Sequence, residues 1–256
     1  MKRYSFIPEN YKVELKSIIS KLILLDPYSD KELDKILKKF PKDKSDIFGR
    51  DNLIQGIEYF AENTFDFDEQ ELLALIPKIK MKPTRTISGV TTVTVLTKPF
   101  ACPGQCVFCP NDVRMPKSYI ASEPGAQRAL MNRFSPYFQV HNRLKALKSI
   151  GHPTDKIELL ILGGTWSYYP KNYQIWFIKE CFRAMNEFGV KIVDSSNSMI
   201  DISENLRVDY NEELRKEVGD KPYNQLIQTP KFKADFEKYV EKEDYDGKSL
   251  KDLWQE

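Results

Sequence analysis

Long apolar runs are the first thing this 256-residue sequence lacks. The most continuous one, Ile157–Leu162, is far too short to span a bilayer. Met1 to Asn10 carries no apolar stretch of the kind a secretory leader needs. The expectation is a cytoplasmic protein with no membrane contact. Net charge is nearly absent too, at +2 from 39 Lys and Arg against 37 Asp and Glu, so bulk electrostatics single out no partner. Cysteine is scarce: there are four, and three of them fall within eight positions. A secreted disulfide framework spreads its bridges through a small chain, so this clustering argues against one and for thiols kept reduced around a metal. No internal repeat or low-complexity block stands out, and little strand signal follows Asp201. What is present is ordinary globular composition, 41% hydrophobic, with length for one large domain or two small ones.

Charge is uneven along the chain. Between Phe100 and Lys156 the bases Arg114, Lys117, Arg128, Arg133, Arg143, Lys145, Lys148 and Lys156 face only Asp112, Glu123 and Asp155. The tail is acidic instead, with Glu241, Glu243, Asp244 and Asp246 close together. A basic middle allows an anionic ligand there, and a solvated helix face reads equally well.

Apolar periodicity predicts helices over Tyr11–Leu25, Lys31–Phe40 (with Ser29 as N-cap), Asp51–Asn63 and Asp68–Ile76. The strip from Lys78 to Arg85, with a proline and several cations, reads as a linker. Val90–Thr97 is β-branched and too short for a helix, hence a strand, and Pro99 ends it. Helices follow over Pro124–Phe134 and Pro136–Ile150, with Gly151-His-Pro as a stop. Ile157–Leu162 then reads as a strand of a parallel sheet covered on both faces. Tyr173–Phe188 is helical, and Asn205–Val218 and Lys231–Tyr245 read as polar amphipathic helices with a thin apolar face. The order strand, helices, strand, helix makes the middle an α/β unit. The predicted division is a helical domain over 1–80, an α/β part over 81–200 and a helical segment over 201–256. Only two or three strands are evident, so the remaining strands are expected in a part not present here or from another chain.

The chemistry concentrates in Cys102-Pro-Gly-Gln-Cys106-Val-Phe-Cys109, a C-x3-C-x2-C cluster directly after a buried strand. Thiolates are soft ligands that favour iron–sulfur clusters, zinc or copper(I). Three is the informative number. A structural zinc site and a ferredoxin-type cluster each want four ligands, whereas three leave one iron of a 4Fe–4S cluster open. Pro103 and Gly104 let the chain curl so that the sulfurs point inward, and Phe108 can cover the cluster from solvent. The alternatives are a zinc site completed by His141 or His152, and three unrelated buried thiols. Cys181, amid Trp176, Phe177 and Phe182, reads as a small core residue.

This spacing, with an aromatic before the third cysteine, resembles the radical SAM superfamily. There the open iron chelates S-adenosylmethionine and an electron splits it to a 5′-deoxyadenosyl radical. Gly163-Gly164-Thr165 at the end of the second strand resembles that family's glycine pair, which receives the methionine amino group. Glycine permits such close backbone approach, and the C-terminal end of a strand is where α/β ligands sit. More specifically, Arg85-Thr-Ile-Ser-Gly-Val90, Leu96-Thr-Lys-Pro99, Cys106-Val-Phe-Cys-Pro110, Lys117-Ser-Tyr119, Glu123-Pro124, Pro136-Tyr137, Gly151-His-Pro-Thr-Asp-Lys156 and Leu162-Gly-Gly-Thr165 occur in order. Together they resemble the N-terminal part of the Elongator complex protein 3 family, the catalytic subunit of Elongator. The resemblance covers residues 78–190 well and the helical start loosely. It implies an incomplete, truncated radical SAM partial TIM-type barrel behind an N-terminal helical domain. It implies an acyltransferase that builds a carboxymethyl-type group on carbon 5 of the wobble uridine in tRNA, with a 4Fe–4S cluster, S-adenosylmethionine and acetyl-CoA. It also implies that Lys156 serves acetyl-CoA, although a solvated cation at a strand start is an equal reading of that lysine alone.

The sequence departs from the family in two places. Pro110-Asn-Asp-Val stands where the family has Pro-Gly-Gly after the third cysteine, which alters the loop without touching the ligands. The chain also stops at Glu256 before anything like the family's Glu-Thr-Arg-Pro strand or its acetyltransferase-like domain, and so reads as a fragment. For tRNA, cations for phosphate and aromatics for loop bases are needed. Lys80, Lys82, Arg85, Arg114 and Lys117 are the candidates, with Tyr119, Phe134, Tyr137 and Phe138 able to stack or to fill a core. Trp166, Tyr168 and Tyr169 either line the adenosyl pocket or cover the mouth of the barrel. Two other readings remain: a non-catalytic iron–sulfur or zinc module that binds tRNA or a partner subunit, and a radical SAM enzyme with another substrate.

Overall fold

A computed structural model describes residues 6–25, 28–42, 46–63, 66–104, 106–190, 210–237 and 240. Contacts divide the chain into two compact units, Met1–Thr91 with Lys145–Ile157, and Thr92–Leu144 with Glu158–Glu256.

The first unit is built on α1 (Lys12–Leu24), α2 (Asp30–Lys39), α3 (Arg50–Asn63) and α4 (Glu69–Ile79). Their apolar residues recur at helical spacing and meet in one core of Leu15, Ile18, Leu33, Leu53, Ile54, Ile57, Phe60 and Leu72. The caps are local. Ser29 accepts from the Glu32 amide while Glu32 accepts from the Ser29 amide, a capping box that starts α2. Asp68 accepts from the Glu71 amide at the head of α4. The predicted linker is shorter than its composition suggests. Helix α4 runs through Pro77 to Ile79, whose side chain is fully buried. A proline this near the end of a helix removes one amide donor, and the burial of Ile79 outweighs that loss. Pro83–Thr86 is then a 3-10 turn.

Strands β1 (Thr91–Leu96) and β2 (Ile157–Leu162) form a two-stranded parallel sheet. The Thr91 amide donates to the Lys156 carbonyl at 2.9 Å, and the Thr97 amide donates to that of Leu162 at 3.0 Å. Val93 and Val95 of β1 are fully buried. The expectation that β2 is covered on both faces is not met, because Leu160 is 44% exposed and Glu158 is exposed as well. Among the described residues β2 is an edge strand, so its apolar run outlasts the cover it receives.

The second unit adds α5 (Pro124–Met131) and α7 (Lys171–Glu187). Helix α6 (Pro136–Lys148) crosses the division between the units. Helix α5 ends three residues earlier than predicted, since Arg133 and Phe134 turn into left-handed backbone (φ 54 and 55) and bury Phe134. Beyond them lie α8 (Tyr210–Val218), α9 (Tyr223–Leu226) and α10 (Pro230–Glu237). The predicted last helices extend over 205–209 and 238–245, which fall outside the described residues apart from 240. Helix α9 was not predicted, being too short to show a period. Leu214, Tyr223, Leu226, Ile227, Phe232 and Phe236 share one core with Leu96, Val113, Met115, Ala121 and Leu130. The architecture is α/β, mostly helical, around a small parallel sheet.

Candidate iron–sulfur site

The cysteine loop leaves the C-terminal end of β1, and its first anchor is aromatic. Phe100 stacks on Tyr169, with centroids 4.9 Å apart, and Tyr169 stacks on Tyr173 of α7 at 5.1 Å. The buried Tyr169 hydroxyl lies 2.8 Å from the Thr97 hydroxyl and donates to the Lys98 carbonyl at 2.8 Å. Burial, outweighing the Thr97 hydrogen bond, pushes its phenol up to about 12. Tyr169 is therefore a packing and hydrogen-bonding post that joins the ends of the two strands.

Gly163 closes β2 at φ 156, and a Cβ there would lie 1.9 Å from the Thr97 hydroxyl oxygen. Only glycine fits. The turn brings Thr165 to the cysteines, with Cys102 Sγ 3.4 Å from Thr165 Oγ1. On the other side Cys109 Sγ lies 3.5 Å from the Ser118 hydroxyl. The sulfurs of Cys106 and Cys102 lie 3.5 and 3.7 Å from the point where a Cβ on Gly104 would stand. A side chain at 104 would thus occupy the space beside both thiols. Partial burial of Cys102 opposes ionisation, yet the Thr165 hydroxyl, the Gly104 and Thr165 backbones and the Lys117 charge hold its thiol below the ordinary value.

Cys106 is exposed and Cys102 and Cys109 are half-buried. Among the described residues, no three His, Cys, Asp or Glu side chains converge as a single-ion site requires. The histidines are used elsewhere. His141 lies against Tyr137 (centroids 6.0 Å apart) and Phe188, and His152 Nδ1 is 2.9 Å from the Thr86 hydroxyl in the first unit. Phe108 is 99% exposed. Cys181 is fully buried, and burial raises its thiol.

The residues that shape this loop were not singled out from the sequence. Asp112, 7% exposed, receives Arg114 Nε at 2.8 Å and Nη2 at 2.9 Å, the Ala121 amide at 2.9 Å and Asn211 Nδ2 at 3.2 Å. Its burial opposes ionisation, but these donors, Arg114 first, hold the carboxyl below its usual range. Asn211 accepts from the Val113 amide at 2.9 Å. Asn224 of α9 takes the Cys102 amide at 3.0 Å and donates to the Cys102 carbonyl at 2.7 Å. The only sequence signals were an acid in a basic stretch and the departure at Asn111-Asp112. That departure supplies the hub of the loop.

The other candidates spread over both units. Lys156 is an exposed cation in the first unit whose carbonyl belongs to the sheet. Lys82 and Arg85 are exposed at the Pro83–Thr86 turn, and Lys80 is half-buried at the end of α4. In the second unit Arg114 is turned onto Asp112, and Lys117 donates to Asn111 Oδ1 at 2.6 Å and lies over the Tyr223 ring. Of the candidate stacking residues, Phe134 and Tyr137 are core, and Tyr119 and Phe138 are half-buried.

No family model matches the chain. Known proteins do. Over 223 residues it is 37% identical to the tRNA uridine(34) acetyltransferase of Methanocaldococcus infernus, a match covering 84% of this chain and 41% of that protein. It is 48% identical over 105 residues to the protein of that name from Dehalococcoides mccartyi, across 41% of this chain and 23% of that one. It is 38% identical over 133 residues to Elongator complex protein 3 of Saccharomyces cerevisiae, across 48% of this chain and 24% of that one. The chain that carries this cysteine loop after one parallel strand, facing a glycine turn after the next, is similar to proteins of two names. Its homologues are, in particular, the tRNA uridine(34) acetyltransferases and Elongator complex protein 3. The chain spans about two-fifths (41%) of the length of the archaeal relatives it matches.

Proposed function

We propose that this chain is part of a radical SAM acyltransferase that acts on carbon 5 of the wobble uridine in tRNA, with S-adenosylmethionine and acetyl-CoA. The carrying observation is the meeting of the cysteine loop with the Gly163-Gly164-Thr165 turn across the 3.4 Å contact between Cys102 and Thr165. In this reading Cys102, Cys106 and Cys109 hold a 4Fe–4S cluster, which when bound supplies the electron that cleaves S-adenosylmethionine.

The chain's own residues then have separable tasks. Gly163 and Gly164 leave backbone open for the methionine end of S-adenosylmethionine, with Thr165 beside it. The Phe100, Tyr169 and Tyr173 stack fixes the distance between the loop and that turn and keeps water from beneath it. Lys156 serves acetyl-CoA. Lys80, Lys82 and Arg85 are the tRNA cations of the first unit. Arg114 and Lys117 reach tRNA only by leaving Asp112 and Asn111. Strands β1 and β2 are the first two of a partial TIM-type barrel, after a helical domain over 1–80 and within 81–200. The segment 201–256 leads toward the rest of the barrel and an acetyltransferase-like part, and the whole works in the cytoplasm.

Anaerobic reconstitution with iron and sulfide tests the reading. A brown protein that releases 5′-deoxyadenosine from S-adenosylmethionine supports it. A colourless protein that takes up zinc and produces none refutes it in favour of a non-catalytic module.

A further inference from the structure

We infer that α8 and α9 form a brace that sets the conformation of the cysteine loop, with Asn224 as its positioning residue. The inference rests on reading Cys102, Cys106 and Cys109 as cluster ligands.

The brace grips the loop at three levels. Nearest the thiols, the Asn224 side-chain amide pairs with both backbone groups of Cys102, accepting at 3.0 Å and donating at 2.7 Å across 122 positions of sequence. Past the third cysteine, the Asn211 amide takes the Val113 amide at 2.9 Å and reaches Asp112 at 3.2 Å. Further on, the buried Tyr223 hydroxyl donates to the Met115 carbonyl at 2.7 Å while its ring lies under Lys117. Beneath these contacts Leu214, Tyr223 and Leu226 share a core with Val113, Met115 and Ala121.

This arrangement answers a specific problem. Among its described residues the loop forms no strand or helix, and two of its ligands flank a glycine. Without outside partners its backbone samples many shapes, and few of them aim three sulfurs at one cluster. An asparagine side chain presents one donor and one acceptor in a plane and can replace the missing strand neighbour at Cys102. Partners one shell out from a metal commonly govern how tightly it is held. Asn224 contacts the ligand's backbone and not the reacting atoms, so its role is positioning.

Three variants separate this role from general stability. Asn224→Ala removes both contacts. Asn224→Asp keeps the acceptor for the Cys102 amide and places an anion against the Cys102 carbonyl. Tyr223→Phe removes only the bond to Met115. With the reconstituted chain, Asn224→Ala is expected to lose its cluster to an iron chelator about tenfold faster than the parent. The electron paramagnetic resonance spectrum of its reduced cluster is expected to change shape. Tyr223→Phe should fall between Asn224→Ala and the parent, and Asn224→Asp should lose its cluster at least as fast as Asn224→Ala. In the cluster-free chain, amide exchange at Cys102 should quicken in Asn224→Ala. A parent that holds a cluster, together with an Asn224→Ala variant matching it in bleaching, spectrum and exchange, overturns the brace. A parent that holds no cluster overturns the ligand reading instead. Exchange at Cys102 then decides alone: unchanged exchange in Asn224→Ala overturns the brace as well.

Discussion

Around α3 the first unit is held by side chains without a polar atom: Leu53, Ile54 and Ile57 are fully buried and pack with Leu15 and Phe60. Between Cys102 and Ala121 the second unit relies on a different currency. There the fixed points are a buried carboxylate, two asparagine amides and a tyrosine hydroxyl, each tied to backbone groups of the loop. The apolar unit needs only shape and volume, and many sequences meet that need. The loop needs named partners at named distances, because an irregular backbone must have each polar group satisfied by something specific. The scaffold is therefore tolerant in detail and costly to hollow out, whereas the site is sensitive to single polar atoms.

Substitutions test that contrast in order of expected effect. Phe60→Ala, at a side chain 2% exposed, should cost about 3–5 kcal/mol in chemical denaturation. A loss below 1 kcal/mol would show that this core is loosely packed. Asp112→Ala should cost about 3 kcal/mol, since it leaves the half-buried Arg114 without its carboxylate. Its hydrogen-exchange signature should be confined to the loop from Val113 to Ala121. The pH dependence has a definite sign. The folded-state pKa of Asp112 is depressed, so its contribution is fully present above the unfolded value of about 4 and fades as pH falls through the lower folded value. Asp112→Asn should remove that acid limb. An unchanged acid limb would mean that another carboxylate carries it. The smallest effect belongs to Ser29→Ala, about 1 kcal/mol for the loss of the α2 cap.

The same contrast explains what could be read without coordinates. Periodic apolar residues announced α1 to α3 to within a residue or two, because such helices are stabilised by their own pattern. Ser29 announced its cap because the capping box is local. The β1 run was legible for a similar reason. Helix α9 was not, since four residues carry no period and its place is fixed by Tyr223 and Leu226 in a distant core. Asn224 and Asn211 were invisible because their partners lie 122 and 98 positions away. Arg114 and Lys117 looked like free cations, and the structure pairs each with a neighbour two to six residues back. The exposed face of β2 shows the converse limit: an apolar run predicts the need for cover, not its presence.

In the proposed reading Cys102, Cys106 and Cys109 together hold an iron–sulfur cluster. Electron paramagnetic resonance of the dithionite-reduced, reconstituted chain beside its Cys106→Ala variant tests it most directly. The account predicts a 4Fe–4S signal in the parent that shifts when S-adenosylmethionine is added and is absent from the variant. An unaltered cluster signal in Cys106→Ala, or none in the parent, would contradict it.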